Sequence, residues 1–317
     1  MNRIRVGVVG VGAIGKNHAR IYHDLEDAEL VAVYDADAGR AAEIAAIYEC
    51  TAAADLDEFA QLVDAATVAT PTVTHLEVGS RLLEAGKHLL VEKPIATDPN
   101  EANSLVRLAQ ESSLILQVGH IERFNPVMRE LEKMLQFPRF IESHRLSPFP
   151  NRSVDIGVVL DVMIHDIEII LHLVPSPVLS VDAVGVPVLT RREDIANARI
   201  RFENGCVANI TASRISPEKM RKIRVFQEET YLSLDYLEQS GSLYRRVGQE
   251  IVCEEVEIER GEPLALELAD FVACASNGRE PKVSGQQAAA ALEVAVEITR
   301  QIHEGDAQGA REAVPAS

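Results

Sequence analysis

The stretch Arg5-Val6-Gly7-Val8-Val9-Gly10-Val11-Gly12-Ala13-Ile14-Gly15 decides the fold. Its first half is an apolar run suited to a buried parallel strand, and its glycines form a GxGxxG where that strand must turn into a helix. Gly10 permits the tight turn, Gly12 lets a pyrophosphate approach the backbone, and Gly15 lets helix and strand pack closely. A helix beginning near Ala13 and Ile14 presents free N–H groups and a partial positive charge to the phosphates. Asp35 ends the next apolar run, 20 positions after Gly15. A carboxylate there accepts hydrogen bonds from the adenosine ribose hydroxyls and repels a 2′-phosphate. The expected cofactor is therefore NAD, held by Gly10, Gly12, Ala13, Ile14, Gly15 and Asp35. Arg40 can offset Asp35, which leaves NADP as the alternative.

Outward from this motif the pattern repeats. The runs RVGVV, ELVAVYD, AATVAT, HLLVEK and LILQVG alternate with alanine- and leucine-rich segments at 13–24, 38–48, 73–85 and 99–111 that read as helices. Alternation of this kind builds a doubly wound parallel sheet, a Rossmann domain expected over 1–121. After Phe124-Asn125-Pro126 the pattern changes. One helix over 159–173 is followed by strand-like runs joined by tight turns, of which Asn204-Gly205 has the signature of a two-residue hairpin. An α+β domain on a mostly antiparallel sheet is expected over 122–317, serving substrate binding and oligomerisation. Helices at 264–275 and 286–303 close it, the last able to pack back on the first domain, and the tail from Gly305 reads as frayed.

Two further motifs lie where such a fold places chemistry. Glu92-Lys93-Pro94 follows the HLLV strand, so Lys93 stands at the carboxyl edge of the parallel sheet, where ligands of open α/β sheets bind. Thr70-Pro71-Thr72, with His75, follows the AATVA strand in the same way. Thr70, Pro71, His75, Glu92 and Lys93 are therefore added to the cofactor side, with Glu92 alternatively orienting Lys93. In the second half, Asp161 and His165 are spaced i, i+4 in an expected helix and share one face.

Composition narrows the partners. With 49 acidic against 31 basic residues, a net charge of -18 repels nucleic acid and anionic membranes alike. An anionic ligand must meet a locally basic pocket. The four cysteines have neither metal-ligand spacing nor a paired framework, which favours reduced thiols, a cytoplasmic location and no metal. No apolar run approaches the roughly 20 residues of a spanning helix.

GxGxxG, the Glu-Lys-Pro tripeptide and the downstream Asp-x-x-x-His together resemble the glucose-fructose oxidoreductase, inositol dehydrogenase and rhizopine-catabolism (Gfo/Idh/MocA) family over nearly the whole chain. The resemblance implies that Lys93 and His165 are the catalytic pair and that Asp161 contacts substrate. The family often has glycines before its Asp and a second Asp three residues past its His. Here Val158, Val159 and Leu160 precede Asp161, and Glu168 takes the later place. Within the family, the stretches from Val118 to Pro126 and from Leu160 to Asp166 look most like the branch that oxidises the sugar 3-hydroxyl of UDP-N-acetylglucosamine. That implies a UDP-sugar substrate and an aminotransferase partner making a 3-amino sugar for lipid A.

Oxidation of a secondary alcohol by NAD removes a hydride from carbon and a proton from oxygen. Histidine titrates near neutrality and suits the proton transfer, while a lysine ammonium holds the hydroxyl as charge develops. His165 is assigned as base and Lys93 as electrostatic partner, with the exchange of these roles left open. His120, Arg123, Arg145 and Arg152 are the remaining expected substrate contacts, the arginines for a diphosphate; His144 lies among them, and His18 reads as a packing residue. Alternating apolar positions from Ala198 to Ile210 give an open sheet face, so a homodimer or homotetramer is expected. The alternatives are a dehydrogenase of inositol, a free aldose or a UDP-linked uronic acid, and a catalytically silent dinucleotide sensor, against which Lys93 and His165 both argue.

Overall fold

The computed structural model describes residues 3–149 and 156–312, with side chains as far as residue 305. The chain divides into two compact units that are not contiguous in sequence: Met1–Phe124 with Glu262–Ala289, and Asn125–Gly261 with Ala290–Ser317. The segment Glu262–Ala289, which a sequence division at 121/122 assigns to the second domain, thus belongs to the first unit.

The first unit alternates strand and helix in chain order: β1 (Ile4–Val9), α1 (Gly15–Asp24), β2 (Ala28–Tyr34), α2 (Ala38–Tyr48), β3 (Thr51–Ala52), α3 (Leu56–Leu62), β4 (Ala65–Val68), α4 (His75–Glu84), β5 (His88–Glu92), α5 (Pro99–Glu111) and β6 (Leu116–Gly119). Its six strands lie in the order β3-β2-β1-β4-β5-β6, every pairing parallel. This is the doubly wound sheet read from the sequence. Strand order reverses between β1 and β4, so the loops leaving these two strands part to opposite faces and open a crevice at their carboxyl ends. The helices start where the sequence supplies caps. Asp37 accepts from the amides of Gly39 and Arg40 at α2, and Asp98 from Asn100 and Glu101 at α5.

In the second unit, α6 (Pro126–Met134) precedes β7 (Phe140–Leu146), then α7 (Ile164–Leu173), β8 (Val178–Val186), β9 (Ile195–Phe202), β10 (Val207–Ser213), β11 (Met220–Gln227), β12 (Thr230–Asp235), β13 (Ser240–Val247) and β14 (Glu250–Glu255). These strands form an eight-stranded sheet in the order β14-β13-β12-β11-β7-β10-β9-β8, antiparallel except for β7 against β10. The expected two-residue hairpin at Asn204-Gly205 is a longer turn. Only Gly205 takes positive φ (85°), its amide donates to the Phe202 carbonyl, and the Phe202 amide donates to Cys206. That is a three-residue loop closed by one left-handed glycine.

The chain then enters α8 (Pro263–Asn277) and α9 (Gly285–Glu312). In the first unit Leu268, Phe271 and Val272 of α8 complete the core made by Val6 and Val8 of β1 and Ile21 and Tyr22 of α1. The tail expected to fray stays helical to Glu312. No described helix is long and apolar enough to cross a membrane, and all four cysteines are free thiols.

Candidate active site

The crevice in the first unit is built from backbone. Gly10 adopts φ 85°, and a Cβ there would stand 2.7 Å from the Ala69 carbonyl oxygen at the end of β4. A Cβ on Gly15 would collide with the Gly10 carbonyl. Gly12 differs: nothing lies within 4 Å of its missing Cβ, so this glycine faces open space that a side chain would fill. Beside it, one Asp35 oxygen accepts the Val11 amide (2.9 Å) and the other accepts the Asp37 amide (2.9 Å), which fixes the carboxylate at the loop. Ala13 and Ile14 are exposed at the start of α1. A flat, side-chain-free approach to a helix N-terminus, flanked by an oriented carboxylate, fits the pyrophosphate and adenosine ribose of NAD. The Arg40 guanidinium stands 3.5 Å from Asp35, as the sequence allowed.

Lys93 follows β5, half-buried, and its bond to Pro94 is cis. Near it lie His120 and Arg123 in the turn after β6. Burial, with the positive charges of Lys93 and Arg123, pushes the His120 imidazole down to about 3, so it is a neutral ring. Arg123 is 1% exposed, a buried charge of this cluster.

His75 lies buried between two loops. Its ring is 1% exposed, with Nδ1 3.0 Å from the Pro94 carbonyl oxygen and Nε2 2.9 Å from that of Thr70. Both nitrogens face backbone, so the side chain is a strut between the β4 and β5 loops. Burial holds its pKa below the usual histidine range, and a neutral ring donates to one of the two carbonyls at a time. Thr70 accepts from the Thr74 hydroxyl at 2.8 Å, and Pro71 is exposed.

In the second unit the helix expected over 159–173 begins with a π turn, Val159–Met163, and becomes α-helical only at Ile164. Asp161 lies in the wider turn and His165 just beyond it, both partly exposed, while Met163, Ile164 and Asp166 are buried around them. Such turns recur at functional sites, because they re-aim one side chain within a helix. At its start, the buried Glu193 carboxylate lies 3.5 Å from the Val159 amide and occupies the space that any Cβ at residue 157 would need.

Arg145 does not reach for a diphosphate. It donates from Nε to Asp166 Oδ2 (2.7 Å) and from Nη2 to Asp166 Oδ1 (3.1 Å), both side chains buried. It therefore holds the residue next to His165. His144, alternating with Arg145 along β7, points to the opposite sheet face. Arg152 lies outside the described residues.

His18, which the sequence offered as a packing residue, is 0% exposed on α1, but its Nε2 lies 3.0 Å from Glu92 Oε1. Sequence reading passed over Arg214, fully buried, which donates to Asp194 and to the Ile156 carbonyl ahead of the π turn. Polar residues at inward helix and strand positions were the available signal.

Residues 4–120 match an oxidoreductase family with an NAD-binding Rossmann fold, and residues 136–233 match the GFO/IDH/MocA C-terminal domain. The chain is 38% identical over 309 residues to the UDP-N-acetylglucosamine 3-dehydrogenase of Acidithiobacillus ferrooxidans, covering 94% of this chain and 98% of that one. A solved structure of a UDP-N-acetylglucosamine 3-dehydrogenase from the same organism superposes with a TM-score of 0.91 at 37% identity, covering 95% and 98%. The scyllo-inositol 2-dehydrogenase (NAD(+)) of Bacillus subtilis is 26% identical over 327 residues, covering 96% and 95%. Matched in both its nucleotide-binding and its C-terminal parts, the chain belongs to the GFO/IDH/MocA family and is an NAD-dependent oxidoreductase.

Proposed function

We propose that this enzyme oxidises the sugar 3-hydroxyl of UDP-N-acetylglucosamine to the 3-keto nucleotide sugar. The observation that carries the reading is full-length likeness to an enzyme named for that reaction, 38% identical against 26% for the inositol enzyme. The alcohol loses a hydride from carbon and a proton from oxygen. The nicotinamide, when bound, accepts the hydride. His165 takes the hydroxyl proton, and the Lys93 ammonium donates to the same oxygen and steadies the charge that develops there. Asp161 and the neutral His120 hold neighbouring polar groups of the sugar. Arg145 is bonded to Asp166 and Arg123 is buried; Arg152 is proposed as a diphosphate contact.

The ketone then serves a partner aminotransferase in the cytoplasm, giving a 3-amino sugar for lipid A. The reading includes a homodimer or homotetramer. On the sheet face opposite Arg145, the rings of Phe140, Phe226, Tyr231 and Tyr244 stack across four strands at centroid spacings of 5.7, 5.1 and 4.2 Å. All four rings are only partly buried, an apolar row suited to a second copy.

The experiment is turnover of UDP-N-acetylglucosamine with NAD by the wild type and by Lys93→Ala and His165→Ala. Both variants should lose most turnover, by about a hundredfold or more, and keep NAD binding. Near-normal turnover in either removes that residue from the reaction.

A further inference from the structure

The segment Glu92-Lys93-Pro94 is gripped on both sides of its lysine by buried imidazoles. On one side, His18 Nε2 lies 3.0 Å from Glu92 Oε1. A carboxylate only accepts, so Nε2 carries the hydrogen. The other ring nitrogen, Nδ1, lies 3.4 Å from Thr67 Oγ1, which in turn lies 2.8 Å from the Tyr22 hydroxyl. Tyr22 donates to Thr67 and Thr67 to His18 Nδ1, which leaves the hydrogen on Nε2, facing the Glu92 carboxylate in a close polar contact that is not aligned as a hydrogen bond. His18, Thr67 and Tyr22 are each 0% exposed. Burying this many polar groups is costly, and a leucine at residue 18 would fill the space without that cost.

Glu92 is confined as well as placed against His18. Gly119 is its register partner on β6, and a Cβ at residue 119 would stand 2.9 Å from the Glu92 carboxyl carbon and Oε1. Glycine at 119 makes room for the carboxylate. On the other side of the lysine, His75 of α4 spans the Pro94 and Thr70 carbonyls. His18 stands three residues into the helix that begins at Gly15, so the element facing the pyrophosphate also holds Glu92.

We propose that His18 and His75 are positioning residues for Lys93, the first acting through the Glu92 carboxylate and the second through the Pro94 carbonyl. The inference rests on Lys93 being catalytic, but its test needs no substrate. The rate at which an amine-acylating reagent modifies Lys93 in the full-length protein, followed by peptide mass spectrometry, reports where and how that ammonium is held. Exposed Lys133 is the internal reference.

His18→Leu and His75→Leu should each change the Lys93 rate several-fold while leaving Lys133 unchanged. His18→Gln, whose amide N–H can reach the same carboxylate, should stay within about twofold of wild type, and His18→Leu should add little in a Glu92→Gln background, as expected of groups that act through one another. An unchanged Lys93 rate in either leucine variant overturns the role of that histidine. If the leucine variants fail to fold, His18→Gln and Glu92→Gln decide the His18 arm: glutamine at 18 must match wild type and Glu92→Gln must not, and the reverse order overturns it. His75→Gln, keeping one donor, decides the other arm by the same comparison. Should UDP-N-acetylglucosamine prove the wrong substrate, these rates are unaffected, so the two failures are distinguishable.

Discussion

Arg145 on β7 and Asp166 on α7 form a buried two-point ion pair, Nε to Oδ2 at 2.7 Å and Nη2 to Oδ1 at 3.1 Å. It ties the residue after His165 to the central strand of the second sheet. Removing one partner strands a buried charge. Arg145→Ala should therefore destabilise the protein by about 3–5 kcal/mol, read from urea unfolding, and Arg145→Met with Asp166→Leu should recover most of that loss. A loss below about 1 kcal/mol for the single variant would place the pair among weak surface bridges.

Asp35 should make NAD the better cofactor, because its fixed carboxylate meets ribose hydroxyls and repels a 2′-phosphate. Comparison of kcat/KM for NAD and NADP reads this directly. Asp35→Ser should narrow the preference by about tenfold, the worth of one charge-assisted hydrogen bond. Arg40→Ala should widen it, since it removes the cation 3.5 Å from Asp35. Equal or better use of NADP by the wild type contradicts the assignment.

Glu267 on α8 is 0% exposed, and neither of its carboxyl oxygens has a hydrogen-bond partner. Burial first, then the negative charges of Glu92 and Asp270, raise its pKa well above the usual carboxylate range. The folded protein thus binds a proton that the unfolded chain releases above its ordinary glutamate pKa. Stability must fall as pH rises from that value to the raised folded one, by about 1.4 kcal/mol for each unit between them. Glu267→Gln, needing no proton, should be the more stable protein at pH 8 and should converge on wild type near pH 4. Parallel stability curves for the two proteins would contradict this.

Much of this frame is legible in the sequence, for local reasons. The bounds of α2 and α5 follow from Asp37 and Asp98, which cap them, and the glycine loop follows from the spacing of three glycines. The contact of Glu193 with the start of the π turn is not legible, because Glu193 is distant in sequence from Val159. Nor is the commitment of Arg145. The β7 run Phe-Ile-Glu-Ser-His-Arg-Leu mixes polar residues on both faces, so alternation does not reveal that Arg145 points inward. His18 looks like packing until Glu92 is brought to it by the order of β1, β4 and β5.

The stacked row across β7, β11, β12 and β13 predicts self-association. Tyr231→Glu together with Tyr244→Glu should convert the oligomer to monomer in light scattering at micromolar concentration, leaving the far-ultraviolet circular dichroism unchanged. A wild type that is already monomeric under those conditions refutes the oligomer.

The most direct test of the central claim is the specificity of oxidation when the product is removed as it forms. An O-alkylhydroxylamine captures the ketone as an oxime, so an unfavourable equilibrium cannot hide turnover. With NAD present, UDP-N-acetylglucosamine should give a 3-oxime, and its kcat/KM should exceed that of free N-acetylglucosamine by about a hundredfold or more, because binding the remote nucleotide diphosphate positions the reacting carbon. No trapped product from UDP-N-acetylglucosamine, with ready oxidation of an inositol, a free aldose or a UDP-linked uronic acid, would contradict the account and leave only the family assignment standing.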